Sequence, residues 1–141
     1  TKAILSGKPI KIFNYGNMYR DFTYIDDVTE SILKCCFKSA TKNPSFDTKK
    51  PDPSTSSCPY RIFNVGNNKP IKLIDFISSL EKTLGVSAIK DFHPMQKGDV
   101  IYTAADTEAL DRWIGYKPDT FLDTGIKKFV DWYKSYYEVY T

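Results

Sequence analysis

The stretch Phe13-Asn14-Tyr15-Gly16-Asn17-Met18-Tyr19-Arg20-Asp21-Phe22-Thr23-Tyr24-Ile25-Asp26-Asp27 constrains the fold more than any other. A short apolar run enters a Gly/Asn turn, and a lone arginine follows. A β-branched and aromatic run comes next, then an acidic start to a helical pattern. The pattern predicts a strand over Lys11 to Asn14 and a second over Phe22 to Ile25. Asp27 is the expected helix cap, with Glu30 three residues later as its capping-box partner. Val28, Ile32, Cys35 and Cys36 are expected on the buried face of that helix.

The rest of the chain continues the alternation. Arg61 to Gly66 reads as a strand running into a turn. Leu73, Phe76, Ile77, Leu80 and Leu84 form a helical stripe stopped by Gly85. Ala88 to Phe92 reads as a short strand, Pro94 to Asp99 as a loop and Val100 to Ala105 as extended chain. Asp106 is expected to cap a helix that ends at Gly115. A final amphipathic helix carries Leu122, Ile126, Phe129, Val130, Tyr133 and Tyr137, a stripe that reads as core. Strands alternating with helices give the class α/β. Residues 39–59 break the pattern: they are polar and rich in Pro and Ser, and read as a surface loop. An insertion is the plain reading of this loop, and a lid near a site is the sharper one.

The chain has 141 residues, enough for one domain with its own core. With 20 basic against 17 acidic residues it offers no phosphate-backbone track, so nucleic acid is not an expected partner. No apolar run is long enough to span a membrane, and no signal peptide opens the sequence. The Ala3-Ile4-Leu5 pattern followed by Gly7 reads as the tail of a helix, which places the expected N-terminus further upstream. Three cysteines, two of them adjacent, make a poor disulfide framework and show no zinc spacing. Cys35 and Cys36, in a helical pattern beside Ile32, read as small core or boundary residues, and a reducing, cytoplasmic setting is the expected one.

Reactive groups are scarce. His93 is the single histidine and stands beside Pro94 in a predicted loop. No nucleophilic triad assembles from the sequence, and no metal set does either. No Gly-rich dinucleotide loop or phosphate loop is present. Asp26 and Asp27 have a helix start to serve before any acid–base work. On residues alone the chain is a binding domain or part of an enzyme, with no catalytic residue of its own.

Three ordered motifs carry a resemblance. They are Tyr15-Gly16 to Asp27 with Arg20 inside it, Tyr60-Arg61-Ile62-Phe63-Asn64-Val65-Gly66-Asn67, and Gly98-Asp99-Val100 leading to Ala105-Asp106-Thr107. Together they resemble the C-terminal portion of extended short-chain dehydrogenases, the NAD-dependent epimerase/dehydratase family with its Rossmann-like fold. The segment from Phe13 to Tyr24 and the closing Phe129-Val130-Asp131-Trp132-Tyr133 look most like UDP-glucuronate 4-epimerases of capsule and cell-wall polysaccharide pathways.

The resemblance implies a role for the whole chain, residues 1–141: the sugar-nucleotide-binding region of a larger, homodimeric enzyme that converts UDP-glucuronate to UDP-galacturonate through a 4-keto intermediate. It implies that NAD and the catalytic Tyr-x-x-x-Lys pair belong to an N-terminal part absent here, and that this piece alone is inactive. It also implies that Arg20 holds the UDP pyrophosphate, a task suited to a planar, always charged guanidinium. A plain salt bridge from Arg20 to Asp21 or Asp27 is the alternative. Phe13 matches an aromatic residue stacking on uracil, with core packing as its alternative. Asp99 matches the acid that accepts from the ribose hydroxyls, with a pairing to Lys97 as its alternative. Many relatives carry a second arginine where this chain has Gln96; Gln96 is a candidate contact, and Lys97 beside it is a second source of charge. A related dehydratase or decarboxylase, and a non-enzymatic nucleotide-sugar-binding module, are the competing readings. Without its N-terminal half the chain is expected to be unstable or to self-associate.

Overall fold

The computed structural model describes residues 1–139, in two compact units. In chain order the elements are α1 (Lys2–Leu5), β1 (Ile10–Ile12), β2 (Tyr19–Arg20), α2 (Ile25–Cys36), β3 (Ile71–Lys72), α3 (Leu73–Leu84), β4 (Lys90–Phe92), α4 (Glu108–Ile114) and α5 (Leu122–Tyr136). The first unit holds residues 1–22, 69–104 and 120 onward; the second holds 23–68 and 105–119.

In the first unit the apolar stripes of α3 and α5 face each other. Ile4, Leu80, Leu84, Ile126 and Val130 form its core, and Phe76, Leu122 and Ile10 pack against them. Each such buried side chain contributes about 1.5–3 kcal/mol. Phe22 stacks on Phe76 with ring centroids 4.2 Å apart. Gly85 ends α3 at φ 73°, where its N–H reaches the carbonyl of Glu81. The Glu81 carboxylate accepts from Lys90 at 2.6 Å and from the Ala88 N–H at 2.7 Å, tying α3 to β4. The Lys90 hydrogen bond, with the Ala88 N–H, holds that carboxyl below the usual carboxylate range.

Two small sheets lie in this unit. β1 and β4 run parallel, in the register Ile10↔Lys90 to Ile12↔Phe92. β2 and β3 run antiparallel, with Tyr19 opposite Lys72 and Arg20 opposite Ile71. Tyr19 also bridges Tyr102 in parallel fashion.

In the second unit the Asp27 side chain is buried and accepts from the Tyr116 hydroxyl at 2.9 Å. Ser31 donates to the Asp27 carbonyl at 2.7 Å. Leu110, Thr107 and Pro118 are buried in the same unit. Residues 39–59 contain no helix or strand. The side chains of Asn43, Asp47 and Asp52 each accept an N–H two residues further on, the local bonding that lets a polar segment turn without a ladder.

Several expected elements differ. The first strand ends at Ile12, because residues 13–16 leave it in a tight turn with Asn14 and Tyr15 in left-handed conformations. The second strand is Tyr19–Arg20 rather than Phe22 to Ile25. It forms where the chain meets β3 and Tyr102, whereas Phe22 is drawn into packing on Phe76. α2 begins at Ile25, so Asp27 lies inside its first turn and is not the cap. Glu30 pairs with Lys34 at 3.2 Å and closes no capping box. The buried face of α2 carries Asp27 and Ser31, while Ile32 is 55% exposed and Cys36 is exposed. The Arg61 to Gly66 stretch is irregular apart from a bridge between Thr55 and Arg61, since its unit holds no strand among the described residues for it to pair with. Asp106 does bond the start of α4, accepting the Glu108 N–H at 3.0 Å.

Candidate functional site

Parallel strands carry ligands beyond their carboxyl ends, where the chain leaves the sheet and backbone groups stand free. β1 and β4 end level with each other at Ile12 and Phe92, and the next residues out are Phe13 and His93. The two rings lie 5.7 Å apart, tilted by 41°. Beyond β1 the chain turns at once. Asn14 and Tyr15 adopt left-handed conformations at φ 50° and 52°, and Gly16 follows at φ 80°. The Asn14 amide steadies this turn by donating to the Asn17 carbonyl at 2.8 Å. The Tyr15 N–H donates to the His93 carbonyl at 3.1 Å, and the His93 N–H to the Ile12 carbonyl at 2.8 Å. Both strand ends are therefore fastened to one another.

Arg20 leaves β2 half-buried. Its Nη2 pairs with Asp99 Oδ1 at 2.8 Å, and its Nη1 donates to the Tyr19 carbonyl at 2.8 Å and the Ile101 carbonyl at 3.4 Å. Asp99 Oδ1 also accepts the Val100 N–H at 2.8 Å. Among the described residues nothing donates to its Oδ2. A partly exposed ion pair of this kind contributes about 0–1 kcal/mol to stability. Its consequence is positional: a guanidinium and a carboxylate separated by 79 positions in sequence are held side by side. The alternatives of Asp21 or Asp27 for Arg20, and of Lys97 for Asp99, are not the pairings observed. Such a pair offers donors to a phosphoanion and acceptors to hydroxyl groups at one place. Beside it, Tyr19 and Tyr102 face each other with centroids 5.9 Å apart.

Gln96 is exposed on the loop after β4, and its carbonyl accepts the Asp99 N–H at 3.2 Å. Phe13 is half-buried. All four candidates lie in the first unit: Phe13 pairs with His93, Arg20 with Asp99, and Gln96 joins the second pair through its backbone. Sequence reading set His93 aside as a lone loop histidine. The available signal was its position directly after a predicted strand.

Among the described residues no cluster of His, Cys, Asp or Glu is arranged to hold a metal ion. No helix is long and apolar enough to cross a membrane. The helix starts do not suit a dinucleotide pyrophosphate. α2, α3, α4 and α5 each carry a carboxylate in the first turn, where it would oppose a bound phosphate. α3 follows β3 with no glycine-rich turn between them.

Among solved structures, UDP-glucuronic acid 4-epimerase from Bacillus cereus in complex with UDP-glucuronic acid and NAD superposes with a TM-score of 0.74 at 30% identity, over 96% of this chain and 38% of that one. In fold the chain corresponds to the C-terminal part of the extended short-chain dehydrogenases, the NAD-dependent epimerase/dehydratase family. No protein-family model matches it. Its curated relatives are more particular. Protein CapI of Staphylococcus aureus is 44% identical over 138 residues, covering 98% of this chain and 41% of that protein. UDP-glucuronate 4-epimerase 4 of Arabidopsis thaliana is 44% identical over 141 residues, covering 97% of this chain and 31% of the plant enzyme. The chain spans less than half the length of these relatives.

Proposed function

We propose that this chain is the UDP-gripping region of an NAD-dependent UDP-glucuronate 4-epimerase, a homodimeric enzyme of the cytoplasm. The observation that carries the reading is the Arg20–Asp99 pair, a guanidinium and a carboxylate held side by side in the same unit as the parallel strands β1 and β4. Arg20 holds the pyrophosphate, its guanidinium already turned and steadied by two backbone carbonyls. Asp99 accepts from the ribose hydroxyls through Oδ2. Phe13 stacks on the base, and Gln96 donates from the loop above Asp99. A grip of this kind fixes the nucleotide while the sugar is worked on, so that remote binding energy positions the reacting carbon. NAD supplies the hydride chemistry in such an enzyme. The acidic helix starts of this chain are no seat for it, and its binding is assigned to the N-terminal part.

Calorimetric titration of the chain with UDP tests the reading. Binding is expected, and Arg20→Ala should weaken it by about 1.5–3 kcal/mol, the range for a hydrogen bond to a charged group. A folded chain that ignores UDP, or an Arg20→Ala variant that binds as well as the parent, would overturn it.

A further inference from the structure

We propose that His93 selects the base of the bound nucleotide, its Nδ1 accepting the N3–H of uracil. The proposal rests on the nucleotide-sugar reading above and adds a specificity-determining residue to it. Three observations carry it. First, His93 and Phe13 are the residues immediately beyond the paired ends of β4 and β1, and their rings meet at 5.7 Å. A base stacked on Phe13 therefore lies within reach of the imidazole. Second, His93 is fastened on both sides of its peptide, through Ile12 at 2.8 Å and Tyr15 at 3.1 Å, so the ring stands on a fixed platform.

Third, the tautomer is set. Nε2 lies 2.8 Å from Asp91 Oδ2, and an ionised carboxylate only accepts. Nε2 must carry the proton, which leaves Nδ1 of the neutral ring as a bare lone pair. No described residue donates to it, and the side chain is 35% exposed. Uracil presents a donor at N3. Cytosine presents a lone pair there, so a cytidine nucleotide would set two acceptors against each other. The Asp91–His93 pair is in this sense a reader of one proton on the base.

The test titrates the full chain with UDP and with CDP at pH 8. The parent chain should bind UDP at least about tenfold tighter than CDP, the scale of one satisfied against one unsatisfied buried polar group. His93→Phe keeps a ring against Phe13 but removes the nitrogen. It should bring the two affinities within about twofold, by weakening UDP and by relieving the opposed acceptors in CDP. On the parent chain the ¹⁵N resonance of Nδ1 should move when UDP is added and stay put with CDP, a response that a merely structural histidine would not give. A His93→Phe variant that keeps the parent's preference, or an Nδ1 signal indifferent to UDP, overturns the inference alone. Arg20→Ala should weaken both nucleotides alike. A folded parent chain that binds neither UDP nor CDP overturns the inference together with the reading beneath it.

Discussion

Gly16 shows how little room the site leaves for variation at a single position. Its φ of 80° is one that residues with a Cβ avoid, and a Cβ there would fall 2.4 Å from Cδ1 and 2.6 Å from Cγ1 of Ile74. Gly16→Ala combines a left-handed backbone, about 1–2 kcal/mol, with local overpacking of about 1–3 kcal/mol. The variant should unfold at a lower urea midpoint, losing about 2–5 kcal/mol in total. Adding Ile74→Ala removes both offending atoms, so in a double-mutant cycle the steric share should vanish and the backbone share of about 1–2 kcal/mol should stay. A cycle with no coupling would show that Ile74 yields at no cost. The glycine itself was plain in the sequence as part of a Gly/Asn turn. Its crowding was not, because Ile74 comes from an element that only the fold brings near.

Among the elements, those governed by local periodicity were legible and those governed by pairing were not. The stripe Leu73, Phe76, Ile77, Leu80, Leu84 and the Gly85 stop are found as read, because the helical repeat and a left-handed glycine are properties of neighbouring residues. The short strands shifted, because a two-residue strand exists only where a partner happens to lie. The same limit hid the Arg20–Asp99 contact: each residue was picked out by resemblance, but nothing local links them. The buried face of α2 is turned from the expected one toward Asp27 and Ser31, with Val28 and Cys35 half-buried and Ile32 exposed, because the Tyr116 hydroxyl donates to the Asp27 carboxylate. That bond has a measurable signature. Burial and then the Asp27 hydrogen bond push the Tyr116 hydroxyl up to about 12 from its ordinary 10.0. A raised folded-state value means the contribution is complete below pH 10 and is lost as the pH climbs toward about 12. Urea midpoints of the parent chain should fall across that window. Tyr116→Phe should flatten this part of the profile, and equal slopes in both proteins would remove Tyr116 as the cause.

At the scale of the whole molecule, each unit carries apolar side chains that water covers. Phe121, Tyr136 and Tyr102 are 72%, 67% and 58% exposed in the first unit; Phe37, Ile25 and Ile32 are 90%, 63% and 55% exposed in the second. A parallel pair such as β1–β4 ordinarily lies inside a larger sheet, and two strands alone are marginal in water. The purified chain should therefore self-associate, with sedimentation coefficients that rise with concentration and with binding of a hydrophobic dye. A sharp, reversible, monomeric melting transition would contradict this. The polar segment 39–59 has one more consequence. Arg20 precedes it and Asp99 follows it, so a single proteolytic cut within 39–59 would leave the two arms of the ion pair on separate polypeptides. The β1–β4 pairing and the core that Ile4 shares with Leu80 and Ile126 would still join the two pieces, and a nucleotide held by both would act as a further staple between them.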